Sequence, residues 1–154
     1  MSIRTNESSF FKHIAHIIEG LTSTYTYILE ELEKKDLLTS ASMNNHEYTF
    51  LLKKLNRAID AFKTEMKACL SDYIYMKTLN IMNEKNATHF IKNQLNELHK
   101  KRDHLIENIP EEELKTGLGH NYYFNKNIKN LTPETIMHYF EINYTLVLET
   151  DLKK

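Results

Sequence analysis

Apolar residues in the first third of the chain recur at alternating steps of three and four. Phe11, Ile14, Ile18, Leu21, Tyr25, Ile28 and Leu32 fall on one stripe of a helix, the a and d positions of a coiled-coil-like seam. The spacing predicts a helix over residues 8–35. Ser8 or Ser9 would accept from the unpaired N–H groups of its first turn, and Lys34 and Lys35 suit the negative end of its dipole. Gly20 lies off the apolar face, where either a close helix contact or plain tolerance would account for it.

After a small, polar connector at 39–45, which Asn44 or Asn45 can cap, the same alternation resumes. Leu52, Leu55, Ile59, Phe62, Met66, Cys69, Tyr73 and Met76 predict a second helix over 46–83. At 1.5 Å per residue it spans about 55 Å, long for a globular domain. Asn80, Asn83 and Asn86 are poor helix formers, so the pattern predicts a break near 83–88, with one kinked helix as the alternative. A third helix over 88–109 carries Ile91, Leu95, Leu98, Leu105 and Ile109, with Arg102 standing at a seam position. An arginine there can pack its stem inward while its head reaches out or pairs with a carboxylate.

Pro110 followed by Glu111, Glu112 and Glu113 predicts a short helix near 110–116, ended by Gly117. The stretch 117–131 reads as an irregular loop. Thr132, Pro133 and Glu134 then combine a cap, a proline at the first helical position and an acidic residue. They open a last helix to about residue 150 with an inner face of Met137, Phe140, Tyr144, Val147 and Leu148. The expected fold is therefore all-α: an elongated single-domain bundle of about four long amphipathic helices with heptad seams, preceded by a flexible segment at 1–7. Because the second helix outruns its neighbours, part of its seam is expected to face a second copy, making a homodimer.

Composition adds exclusions. Lys plus Arg number 20 against 21 Asp plus Glu, so there is no global positive field to drive DNA binding. No stretch is long and apolar enough to span a membrane, and residues 1–11 lack the apolar core of a signal peptide. A cytoplasmic location follows as an expectation. The wealth of Asn, Lys and Ile hints at an AT-rich bacterial or viral gene. The sole cysteine, Cys69, lies on the apolar stripe and reads as a core residue rather than a reactive thiol.

Eight histidines invite a metal reading, but His16, His104 and His138 precede Glu19, Glu107 and Glu141 in an order opposite to the Glu-x-x-His pairs of di-iron bundles. On a helical wheel His16 and His104 point away from their seams, so no metal or other cofactor is expected. The densest positive patch is Lys100, Lys101 and Arg102. It and the aromatic run Tyr122, Tyr123 and Phe124 form the candidate interaction surface.

Lys115-Thr116-Gly117-Leu118-Gly119-His120-Asn121-Tyr122, followed by a last helix, resembles the motif of the HEPN ribonuclease toxins, which carry Arg, a spacer and His-x-Tyr. The resemblance implies an all-α bundle that cuts RNA without metal at a dimer interface. His120 would be the base, Lys115 the phosphate contact and Tyr122 a support. The match departs from the family in having Lys for Arg, which cannot grip a phosphate in two places. Absent other catalytic signatures, the leading expectation is a non-enzymatic helical interaction module: an adaptor, assembly subunit or inhibitor that binds a protein partner, itself included. The alternative is an HEPN-like ribonuclease with RNA as its substrate.

Overall fold

A computed structural model describes residues 2–38, 45–80 and 84–153. The described residues form an all-α bundle, with no strand among them. In chain order the helices are α1 (Ser2–Leu38), α2 (Asn45–Thr78), α3 (Glu84–Asn108), α4 (Glu111–Leu118), α5 (Tyr122–Lys126) and α6 (Pro133–Lys153). Single 3-10 turns at Gly119–Asn121 and Ile128–Asn130 link the last three. No helix among the described residues is long and apolar enough to cross a membrane.

Helix α1 starts six residues earlier than the spacing predicts, so Ser8 and Ser9 lie inside it rather than at its cap, and residues 2–7, expected to be flexible, are helical. The connector at 39–44 and its Asn44 cap lie outside the described residues. Helix α2 ends at Thr78, earlier than predicted, because Asn80 adopts φ +55°, a left-handed conformation that Asn tolerates and a helix does not. Helix α3 starts at Glu84, four residues earlier than predicted, so 84–88 of the predicted break are helical, while residues 81–83 lie outside the described residues.

Helices α1 and α2 run antiparallel. Phe10 meets Tyr73, His13 Nε2 lies 2.9 Å from Glu65 and its Nδ1 3.4 Å from Asp72, and further along Tyr27 receives Lys54 over its ring. The two carboxylates hold His13 above the usual imidazole range, against the opposing effect of its burial. The C-terminal half of α1 lies against that of α3, so these two run the same way. The fourth position is shared. Gly117, Asn121 and Phe124 contact the first half of α2 through Leu52, Asn56 and Phe62, whereas Phe140 and Glu141 contact Tyr73 and Lys77 in its second half. The segment 111–153 thus runs alongside α2 as a broken fourth helix.

Every seam residue predicted on α2 is buried within this one chain, from Leu52 to Met76. The covering expected from a second copy is supplied by α1 and by the broken fourth helix. Burial pushes the Cys69 thiol up to about 12, with Asp72 and Glu65 adding to it. On α1 the core also takes Phe10 and Ile17, which a strict heptad leaves out. Phe10, Tyr73 and Phe140 form an aromatic knot with ring centroids 5.3 to 6.1 Å apart. Each such pair adds about 0.5–1.5 kcal/mol beyond the area it buries.

The stretch 117–131, expected as an irregular loop, is a run of short helical turns. Gly117 does not end α4. It sits within the helix, and the chain turns at Gly119, whose φ of +54° favours glycine. At α6 the predicted cap is in place: Thr135 N–H donates to Thr132 Oγ1 at 3.1 Å, and Thr132 N–H donates back to Thr135 Oγ1 at 2.8 Å.

A Cβ on Gly117 would meet Leu52 Cβ at 2.8 Å and Leu52 Cδ1 closer still, whereas one on Gly20 meets nothing within 4 Å. Gly117→Ala should therefore destabilise the fold by about 1–3 kcal/mol, through overpacking. Gly20→Ala should stabilise it by about 0.5–1 kcal/mol, since alanine is the better helix former. Urea unfolding of both variants checks the pair, and equal effects would contradict the packing described.

Candidate functional site

The corner formed by α4, the 3-10 turn and α5 gathers most of the sequence-predicted candidates. Its outer side is built on α2, where Asn56, Asp60 and Lys63 share one helical face at steps of four and three. Asn56 Nδ2 donates to the carbonyl of Gly117 at 2.7 Å. The fully buried Asn121 donates through Nδ2 to Asn56 Oδ1 and Asp60 Oδ1, each at 3.0 Å, and accepts from Lys63 Nζ at 2.6 Å. His120 Nε2 lies 3.4 Å from the same Asp60 oxygen. The Asn121 amide, then His120 and Lys63, hold the Asp60 carboxyl below its usual range.

The inner side of the corner is drier. Tyr25 on α1 donates its hydroxyl to Asn125 Oδ1 at 2.5 Å. Burial pushes the Tyr25 hydroxyl upward, and the nearby Arg102 charge pulls it partly back. Arg102 itself is only 4% exposed, with Nη2 2.8 Å from Asp103. Tyr122 is also buried and donates to Glu111 Oε1 at 2.6 Å, a bond that pushes its own hydroxyl up to about 12 and holds Glu111 down.

These placements divide the proposed interaction surface. Arg102 and Tyr122 do not belong to it, because the seam position and the Glu111 bond take both side chains inward. Tyr123 stands 68% exposed against the edge of Tyr122, and Phe124 is half-buried on Phe62 beneath Lys63. Lys100 is exposed, while Lys101 is half-buried and 4.0 Å from Glu97.

The HEPN-like residues separate as well. Lys115 Nζ lies over the Tyr122 ring, 5.9 Å from its centroid, and 3.8 Å from Glu112. His120 turns instead to Asp60. No hydrogen bond, ion pair or ring contact among the described residues joins His120 to Lys115 or Tyr122.

Known proteins offer no guide to this arrangement. The chain matches no family model, no curated protein and no solved structure. Its chemistry has to be read from its own surfaces.

Histidine-carboxylate pairs do not assemble into a metal centre: among the described residues no group of three or more His, Cys, Asp or Glu side chains is placed to hold an ion. Glu141, one of the predicted pairs' members, accepts from the Tyr73 hydroxyl and from Lys77. His99 Nε2 donates to the carbonyl of Leu131 at 2.8 Å, tying α3 to the turn before α6.

At the other end of the bundle α6 runs past the last residue of α2. Its predicted inner face fails there. Val147 and Leu148 are 37% and 46% exposed, alongside Ile142 at 46% and Leu146 at 53%, beyond the level at which Lys77, next to the last residue of α2, meets Glu141. Tyr75 and Leu79, on the last turns of α2 and the residues after it, are likewise exposed.

Asn121 is the residue on which the outer side of the corner converges, and Asn121→Ala should cost about 2 kcal/mol by removing the hydrogen bonds of this buried amide to Asn56, Asp60 and Lys63. A group whose folded pKa is lowered contributes stability above its unfolded value, here 3.8, and loses it as pH falls through the folded value. Since Asn121 is the largest cause of the Asp60 shift, the variant should also lose less stability between pH 5 and pH 3 than the parent. Urea midpoints across that range measure both effects, and parallel acid profiles would exclude the Asn121–Asp60 bond.

Proposed function

We propose that this protein is a non-enzymatic helical interaction module that pairs with a second copy through the C-terminal turns of α6. The observation that carries the reading is the exposure of Ile142, Leu146, Val147 and Leu148 on a helix whose earlier turns bury Ile136 and Phe140. Exposed apolar side chains grouped within two turns of one helix support an interaction site there. From Ile142 to Leu148 the sequence contains no charged residue, so two copies meet there without like-charge repulsion. The module acts in the cytoplasm, where a single cysteine without a disulfide partner is the usual state. It serves as an adaptor, assembly subunit or inhibitor, with its remaining surface free for a further partner.

Light scattering over a range of concentrations should find a particle of twice the chain's mass. Leu146→Glu should halve that mass while leaving helical content unchanged, because the side chain is half-exposed in the single chain. A parent protein that scatters as a monomer at every concentration removes the reading.

A second reading, an HEPN-like ribonuclease, has one observation in its favour. His120 is 75% exposed beside Asp60, and a carboxylate so placed orients an imidazole. Lys115 weakens it, since Glu112 and the neighbouring Glu111 and Glu113 oppose a phosphate there. Labelled tRNA in EDTA should remain intact with both the parent protein and His120→Ala. Cleavage by the parent that the substitution abolishes would replace the first reading with the second.

A further inference from the structure

One charge in the core lacks a proper counter-ion. A guanidinium stays ionised at any ordinary pH, yet Arg102 is 4% exposed. Its ion partner Asp103 has a side chain 58% exposed, so water screens the pair. Arg102 Nε is buried with no acceptor at all. Buried donors of this kind are normally satisfied, and a charged one is the most costly to leave unpaired.

A cavity of about 250 Å³ lies beside it. Its lining combines the polar Arg102, Asn125 and Lys126 with the apolar Ile106, Ile109 and Leu114. Asn125 Oδ1 is taken by the Tyr25 hydroxyl, which leaves its amide nitrogen to act as a donor. Glu111 also borders the space, but its carboxylate is held by Tyr122 and attracted by Lys115 and Lys126. Arg102 and Lys126 thus set two positive charges in the lining against the single carboxylate of Glu111. The volume falls just below the range of drug-sized sites, about 300–1,000 Å³, so the occupant is small.

We propose that this cavity binds a small monocarboxylate with a short apolar body. The carboxylate meets the Arg102 guanidinium and the Asn125 amide, and the body lies on Ile106, Ile109 and Leu114. Planar carboxylates match the guanidinium fork in two places. A free phosphate would carry up to two charges against an apolar wall, and its desolvation opposes entry. Lys126 at the exposed rim draws the anion in. The inference is independent of pairing through α6, since the two surfaces lie at opposite ends of the bundle.

Benzoate serves as the probe, with benzyl alcohol and inorganic phosphate as controls, followed by amide chemical shifts and calorimetry on the full chain. Benzoate should shift the amides of Arg102, Asn125 and Lys126 saturably, with an affinity on the order of 1 mM, and the two controls should bind at least about tenfold more weakly. Arg102→Met should abolish binding. Because that variant alters the core, Lys126→Gln at the exposed rim provides a second measure and should weaken benzoate a few-fold while melting as the parent does. Three results each overturn the proposal: amides unmoved by benzoate at about 50 mM, benzyl alcohol binding as well as benzoate, or phosphate binding more tightly. Unchanged binding in both variants overturns it too.

Discussion

A polar group withdrawn from water must find a partner, and the corner between α4 and α6 is where this chain meets that demand. Three long helices leave a fourth position open along α2, and a single straight helix does not fill it. The chain instead turns at Gly119, and two asparagines four residues apart point into opposite sides of the corner. Asn121 is bonded to Asn56, Asp60 and Lys63 on α2, and Asn125 accepts from Tyr25 on α1. Side-chain amides offer both donors and acceptors, which suits them to a place where helical hydrogen bonding is interrupted. The same corner depends on Gly117, since only the absence of a side chain lets α4 approach Leu52.

The breaking of the fourth helix also shapes the outer surface. Its first part covers the beginning of α2, its last part covers the end, and α6 then runs beyond the last residue of α2. Apolar residues that would lie in a core had the helices ended together are left in contact with water. The pairing proposed for this protein rests on those turns and not on a surplus seam along α2, because that seam is closed within the chain.

Arg102 links the fold to the proposed occupant. At a seam position it substitutes a charge for an aliphatic side chain, lowering the gain from burial and imposing a need for acceptors that Asp103 meets only in part. Tyr25 and Asn125 sit near it as a neutral hydrogen-bonded pair, and the carboxylates of Asp103 and Glu111 lie at the solvent-exposed edge. The outer cluster around Asp60 differs: there a lysine, a histidine and a carboxylate balance one another in contact with solvent, as expected of groups that stabilise a turn.

Periodicity by itself determined the long helices and their buried faces, since an apolar stripe at steps of three and four has only one way to leave water. The seams of α2 and α3, the inward arginine and the Thr132 cap followed from spacing and local hydrogen-bonding chemistry. The same stripe was read too far along α6, because a helix's pattern does not tell where its neighbours stop. Asn56, Asp60, Lys63 and Asn121 were missed for a related reason: they form a cluster only when segments some 60 residues apart are brought together, and exposed polar residues on a helix look alike in sequence. Which of Gly117 and Gly119 ended α4 depended on the approach to Leu52, a contact across the bundle. Local interactions chose the elements; the partners available in three dimensions decided which residues were buried and which were left to meet another molecule.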